Sequence, residues 1–457
     1  MKKYTIYLFV LLGAVLGFLG AAESFLAMLF VIAAMCFIIM VMSDYEKATY
    51  VVAAYSIIDF LLRTFAGGFA GIWDEAYLAV LILLWIYKLF INQKEDGIKL
   101  APLDFPAAFF ITAMFFILIV NTSDISIGIE GFRASVQYIL WYFIIVQLLR
   151  TEKGAKNLLI AFSLISGFIA IHGIYQYVIG AEMPSGWVDS KEAGVRTRVY
   201  SILGSPNVMG SLMTLSAPIC FALGLNQRKK GKCALFIFLS LCMVISLLFT
   251  FSRGAWIGFA AAAVLYVFLK DKRWFVPAII AGVLAILIVP GVGSRLSYML
   301  SSEYIESSMK GGRLIRWTRG LTILKDNLLL GVGHGQFGGA VAMNHGIKRL
   351  IETEVIKTFY MDNYYLKTAV ETGIVGLGAF LALILSVFTS FLRTIRVTAD
   401  KGLKEIEIGI LCGAAGVIVH NFVENIFEVP MMATCFWLLA AVMMHFWRLN
   451  FVKKGIV

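Results

Sequence analysis

Polar residues are scarce along the whole chain. Of 457 residues, 60% are hydrophobic, and the mean hydropathy is +0.86. A soluble domain cannot hide that much apolar surface. The apolar runs recur from one end to the other, which excludes a separate soluble domain and leaves one membrane domain over residues 1–457. Only six cysteines occur, Cys36, Cys220, Cys233, Cys242, Cys412 and Cys435, all within apolar runs or beside a loop expected in the cytoplasm. None falls in an external loop, so neither a disulfide framework nor a thiolate metal site is expected. The five histidines form no His/Asp/Glu cluster with metal-ligand spacing, so no metal and no cofactor are expected. Internal repeats and low-complexity tracts are lacking. So is a matched pair of Gly/Pro-interrupted spans, the sequence pointer to many transporters.

What is present is a succession of spans. A span needs roughly 20 mostly apolar residues, and the chain reads as an all-α polytopic membrane protein with about fourteen transmembrane helices, or twelve if the first runs pair differently. The expected spans are 5–22, 25–42, 48–65, 75–91, 104–120, 134–149, 157–179, 206–225, 233–250, 254–269, 274–290, 366–391, 405–420 and 431–447. Met1-Lys2-Lys3 before an apolar run mimics a signal peptide, but the run is long and more spans follow at once, so it reads as the first span. The net charge of +11 resides largely in short loops: Arg150 to Lys156, Arg228-Lys229-Lys230 with Lys232, Lys270 to Arg273, Arg393 to Lys404, and Lys453-Lys454. That placement is the positive-inside signal; it puts both termini in the cytoplasm and argues against nucleic acid as a partner.

Two external segments are large under this threading, residues 180–205 and residues 291–365. The second carries Arg295, Lys310, Arg313, Arg316, Arg319, Lys325, Lys348, Arg349 and Lys357. Long loops are exempt from the charge rule, so this is either a tolerated basic loop or a surface for anionic ligands and lipid headgroups. Within it Leu314, Trp317, Leu321, Leu324 and Leu328 recur at helical spacing with Arg316 and Arg319 opposite, which predicts an amphipathic helix lying apolar face down on the membrane. Gly331-Val332-Gly333-His334-Gly335 then turns the chain.

Arg253 lies in a very short outer turn, Thr250-Phe251-Ser252-Arg253-Gly254. An arginine at membrane depth costs roughly 2.5–3.5 kcal/mol unless it reaches water or a partner. It is either a snorkelling residue or a fixed cation awaiting phosphate, whose oxygens its planar fork binds in pairs. Arg196 and Arg198 end the first external segment before Gly204-Ser205-Pro206-Asn207, where they also read as a solvated loop face. Asp362 is the candidate general base, at an interface where a sugar hydroxyl and a lipid diphosphate could meet, and Asn363 could orient a sugar. Either could equally be the cap of the span that follows. His420-Asn421 with Glu424 forms a rival constellation, read as a structural pair one helical turn apart, and Asp59 most simply pairs with Arg63.

Taken in order, Arg198 with Gly204-Ser205-Pro206-Asn207, Ser252-Arg253-Gly254, Arg313 with Trp317, Gly331-Val332-Gly333 with Phe337, and Asp362-Asn363 to Gly376 resemble the O-antigen ligase and O-antigen polymerase superfamily of membrane glycosyltransferases. The resemblance covers roughly residues 195–385. The ligase signature is His, then Asn, Ser or Gln, nine residues, Gly, two residues, and Gly, Thr or Tyr. Asn363, Gly373 and Gly376 fit that spacing, whereas His420-Asn421 leads to Met431. Asp362 replaces the family histidine, which leans toward polymerase-like members. The resemblance implies a bacterial cytoplasmic-membrane enzyme whose donor is a glycan on undecaprenyl diphosphate in the outer leaflet. The acceptor is a glycan or lipid-linked hydroxyl that displaces the diphosphate with inversion. Arg198 and Arg253 would stabilise the leaving diphosphate in place of a metal ion, and Arg313, Arg316 and Arg319 would guide or cover the donor. The alternatives are a ligase that delivers the glycan to lipid A core or another surface acceptor, and a flippase for lipid-linked sugars.

Overall fold

Among the described residues the apolar runs become helices. A computed structural model describes residues 45–65, 71–91, 97–183, 197–288, 292–299, 301–309, 312–347 and 360–453, and among these every regular element is helical. In chain order they are α1 (Tyr45–Ala53), α2 (Tyr55–Phe65), α3 (Trp73–Ile91), α4 (Asp104–Val120), α5 (Ile125–Val136), α6 (Ile139–Leu148), α7 (Glu152–Ile179), α8 (Pro206–Leu225) and α9 (Lys230–Phe249). There follow α10 (Arg253–Lys270), α11 (Phe275–Ile288), α12 (Val292–Met299), α13 (Ser302–Met309), α14 (Arg313–Asp326), α15 (Ala340–Asn344), α16 (Tyr364–Val397), α17 (Lys401–His420) and α18 (Pro430–Lys453). Six of them, α7, α8, α9, α10, α16 and α18, are long and apolar enough to cross a membrane, or seven spans if α1 and α2, bent by 68°, count as one. The fourteen expected spans are therefore not all matched: α4 and α6 are shorter apolar helices, and the expected spans 5–22 and 25–42 lie outside the described residues.

Burial separates the central helices from the lipid-facing ones. The spanning windows of α8 and α18 are each 89% buried, against 28% for α10 and 39% for α9. Helix α8 packs on α9, α10 and α17, and α17 also packs on α10. Small residues allow this close approach: a Cβ on Gly413 would strike the Leu215 carbonyl, and one on Gly416 would meet Thr214 and the Gly258 carbonyl. Without a hydrophobic gradient between helix and lipid, such contacts are what hold membrane helices together.

Helix α14 forms as the periodicity predicts but rests largely on protein. Trp317 and Leu324 pack with Leu366 against buried Phe337, Met361 and Val370, and Trp317 Nε1 donates to the Met361 carbonyl at 3.1 Å. Only Leu321 and Leu328, each half exposed, keep the outward apolar character expected of the whole face.

Helix α16 is interrupted at Gly373, whose φ of +66° and ψ of −170° suit only glycine. The break frees backbone groups on both sides, and residues 328–333 fill them. Val332 N and Gly333 N donate to the carbonyls of Val370 and Glu371 at 2.9 Å each, while Ile374 N and Val375 N donate to those of Leu328 and Leu329 at 2.9 and 3.3 Å. Asn121 Nδ2 seals the same turn, reaching the Leu330 and Gly331 carbonyls. The signature glycine is thus the point where the loop carrying α14 is fastened to the helix that follows Asp362.

Candidate active site

Five helices begin around one hollow. Ser205, Asn207 and Val208 at the start of α8, Ser252, Arg253 and Gly254 at that of α10, Arg313 at that of α14, Asp362 before α16 and Val429 before α18 all line a cavity of about 550 Å³. Helix starts present unpaired N–H groups and the positive end of the peptide dipole, so an anion is favoured there. The local sequence builds each one: Ser205 caps α8 with Pro206 in the first turn, and Asn363 caps α16, its Oδ1 accepting from Leu366 N at 3.0 Å.

Five guanidinium groups, those of Arg198, Arg253, Arg295, Arg313 and Arg316, line this same cavity with the carboxyls of Asp362, Glu424 and Glu428. Arg253 and Arg313 stand at the first positions of their helices. A cation there opposes the dipole, at a cost of about 0.3–1 kcal/mol. Such a placement makes physical sense when an anion sits among them.

The polar groups form one connected string. Arg198 Nε donates to the Thr250 carbonyl at 3.1 Å, and its Nη2 donates to Asn207 Oδ1 at 3.2 Å. Asn207 Nδ2 donates in turn to Glu424 Oε2. Arg313 bridges the two carboxylates, 3.6 Å from Glu424 Oε2 and 3.5 Å from Asp362 Oδ2, and Arg316 Nη1 reaches Asp362 Oδ2 at 3.1 Å. Arg316 also donates to the Tyr360 carbonyl at 2.9 Å. The Arg253 guanidinium lies 4.9 Å from the ring centre of Tyr304, and Arg295 donates to the Phe251 carbonyl. Phe251 and Asp362 both adopt positive φ, +51° and +49°. Strain of that kind, about 1–3 kcal/mol each, persists where surrounding structure fixes it and clusters at functional sites.

Electrostatics follow from this crowding. Burial pushes Arg198 down to about 10, with Arg253 and Arg313 adding to the effect and Glu424 opposing it, so it stays charged at neutral pH. Burial acts on Arg313 in the same direction, but Glu424 and Asp362 outweigh it and the net displacement is upward. Burial and the neighbouring Asp362 raise Glu424 to about 7, against the pull of Arg313 and Arg198. Glu428 is raised by burial as well, although Lys367, 3.7 Å away, works against it.

Arg198, Arg253, Arg313, Arg316 and Asp362 therefore converge as the sequence suggested. Asn363 does not line the cavity; its side-chain oxygen is spent on the helix cap, so the cap reading displaces that of sugar ligand. Arg319 is exposed on α14 and outside the lining, while Arg316, expected beside it on the outward side, turns to Asp362. Arg196 lies outside the described residues. The supposed His420–Glu424 pair is not formed: His420 Nδ1 is 2.6 Å from Ser211 Oγ, and Glu424 turns into the cavity. Asp59 does pair with Arg63, at 2.7 Å. Sequence reasoning set Glu424 aside as the structural partner of His420 and did not single out Arg295 and Asn207 as site residues. A signal existed for Asn207, which follows the Gly-Ser-Pro turn, and for Arg295, one cation among many in its loop.

The segment that carries most of these charged groups is similar to a known family. Residues 236–381 match the O-Antigen ligase family. The match is consistent with the O-antigen ligase and polymerase superfamily, and with the apolar helices it makes the chain a bacterial integral membrane protein. No curated protein matches the chain. The matched segment supplies Arg253, Arg295, Arg313, Arg316, Tyr360 and Asp362 to the cavity. The flanking helices complete it with Arg198 and Asn207 on one side and Glu424, Asn425 and Glu428 on the other.

Proposed function

We propose that the protein is a polysaccharide polymerase-type glycosyltransferase that moves a glycan from undecaprenyl diphosphate to a sugar hydroxyl of an acceptor glycan at the outer face of the cytoplasmic membrane. The observation that carries this reading is the cavity itself, where five guanidinium groups and five helix starts surround a space of a size that ligand sites commonly have. With all carboxyls ionised the lining has two positive charges in excess. That surplus suits a diphosphate diester, which bears one negative charge on each phosphoryl group.

The short basic loops support the outer location. Arg228 to Lys230, Lys270 to Arg273 and Arg393 to Lys404 all join the helix ends opposite the cavity, and such loops stay in the cytoplasm.

In the reaction, the acceptor oxygen attacks the anomeric carbon from the face opposite the diphosphate, so the configuration inverts. The carbon–oxygen bond to phosphate breaks, and its electron pair passes to the leaving oxygen. Arg198 and Arg253 stabilise that developing charge without a metal ion, and they accelerate the step to the extent that they hold the leaving diphosphate more tightly than the bound donor. Arg313 and Arg316 hold the donor from the side of α14. The hydroxyl proton goes to a carboxylate of the cavity, for which the family spacing nominates Asp362.

A second reading is favoured by the matched family's own description, O-Antigen ligase: one transfer of a finished chain to lipid A core or another surface acceptor. Purified protein with a defined undecaprenyl-diphosphate oligosaccharide, resolved by gel, separates the two. A ladder of chain lengths supports the polymerase and a single transfer to added acceptor the ligase. Unchanged donor under both conditions overturns glycan transfer.

A further inference from the structure

The transfer reading leaves one proton to place. Asp362 is engaged by two guanidinium groups, both on its Oδ2, from Arg316 at 3.1 Å and Arg313 at 3.5 Å. Glu424 faces the same cavity from the turn between α17 and α18 and shares Arg313 with Asp362 at 3.6 Å. Its remaining hydrogen bond on Oε2 comes from the neutral Asn207 amide, which also holds Arg198.

We infer that Glu424 is the catalytic base, taking the proton of the acceptor hydroxyl, and that Asp362 is a positioning residue that aims Arg313 and Arg316 at the donor. The inference rests on the transfer reading and deepens it.

The step balances. The acceptor O–H bond breaks and its proton passes to the Glu424 carboxylate. The oxygen's electron pair forms the new glycosidic bond, and the bond from the anomeric carbon to phosphate oxygen breaks with its electrons retained by the diphosphate. Glu424 then returns the proton to water. The freed diphosphate is a monoester and carries up to about one more negative charge than the donor. Protonating Glu424 adds one positive charge to the lining at the same moment, so cavity and leaving group change in step.

The charged groups that line the cavity with Glu424 are Arg198 before α8, Arg253 on α10, Arg295 on α12, Arg313 and Arg316 on α14, Asp362 before α16 and Glu428 in its own turn, while His420 at the end of α17 is engaged by Ser211. These surroundings leave Glu424 titrating at about 7, where a base is most effective in neutral water.

The test compares the wild type, Glu424→Gln and Asp362→Asn in lipid nanodiscs with the defined undecaprenyl-diphosphate oligosaccharide, over about pH 5.5 to 8.5. The amide in Glu424→Gln keeps an oxygen for Asn207. In the wild type kcat/KM should fall about tenfold per pH unit below about 7. Glu424→Gln should lose about 10²-fold or more in kcat and show no acid limb. Asp362→Asn should raise the donor KM and keep the limb, moved to lower pH because the Asp362 charge helps hold Glu424 up. If Glu424→Gln retains the rate and the limb, or Asp362→Asn abolishes the limb, the inference is overturned and Asp362 is the base. Should Glu424→Gln fail to insert, the limb of Asp362→Asn decides by itself. Absence of any product from the wild type is a different failure, that of glycan transfer, and removes the inference with it.

Discussion

Replacing Arg253 by alanine should separate activity from stability. The guanidinium lines the cavity at the first position of α10, where it opposes the helix dipole, and it faces the Tyr304 ring at 4.9 Å. Two unit charges 4 Å apart interact by about 4 kcal/mol at an effective dielectric constant of about 20. Part of that acts on the charge the donor already carries and appears as affinity. The rest acts on the charge that grows as the phosphate bond breaks and appears in kcat. Losing one such donor at a developing oxyanion costs about 2.7–4 kcal/mol, or 10²–10³-fold. The expected result for Arg253→Ala is therefore a drop of about 10³-fold in kcat/KM, with about 10²-fold of it in kcat. Arg253→Lys, which keeps charge but loses the planar fork, should fall between. Stability runs the other way. Removing the cation relieves about 0.3–1 kcal/mol of dipole repulsion and forfeits about 0.5–1 kcal/mol of contact with Tyr304, so thermal unfolding should shift little. The assay is gel-resolved glycan transfer beside a thermal melt of the same preparation. A variant that melts far earlier yet turns over normally would refute the reasoning and make Arg253 a structural anchor.

Other outcomes follow from the same structure. Gly373→Ala places a Cβ against the Leu329 carbonyl at a backbone geometry suited only to glycine, and should destabilise by at least about 3 kcal/mol; an unshifted melting temperature would contradict this. Lys367→Met strips the buried partner of Glu371, 2.8 Å away, and of Glu428, so a loss of about 3–5 kcal/mol should show as poor yield or early melting. Diphosphate binding should tighten as pH falls through about 7, because Glu424 is the carboxyl held up in that range and its protonation removes a negative charge from the lining. Titration calorimetry with a diphosphate diester, whose own charge does not change between about pH 6 and pH 8, checks the sign, and tighter binding at the higher pH would be the wrong one.

The span pattern was legible in part because burial in lipid demands a continuous apolar run, and six expected spans coincide with helices long and apolar enough to cross a membrane, as at 206–225. Arg253 was legible for the opposite reason: a charge at that depth is costly unless it reaches water or a partner. What the sequence concealed depends on packing between distant segments. Glu424 lies one helical turn from His420, which invites a local pair, but Ser211 on α8 takes the histidine and Asn207 takes the glutamate. Arg316 and Arg319 occupy neighbouring directions on one helix, and only the seating of Trp317 against the Met361 carbonyl decides that Arg316 meets Asp362. The motif spacing identified Gly373 without its reason, which appears only when residues 328–333 are seen filling the broken turn.

Helix starts aimed into one hollow cannot tell the incoming anion from the outgoing one, and the outgoing one is more highly charged. Under the transfer we propose, the spent carrier is therefore the tightest guest of each cycle, and turnover should wait on its escape into the bilayer.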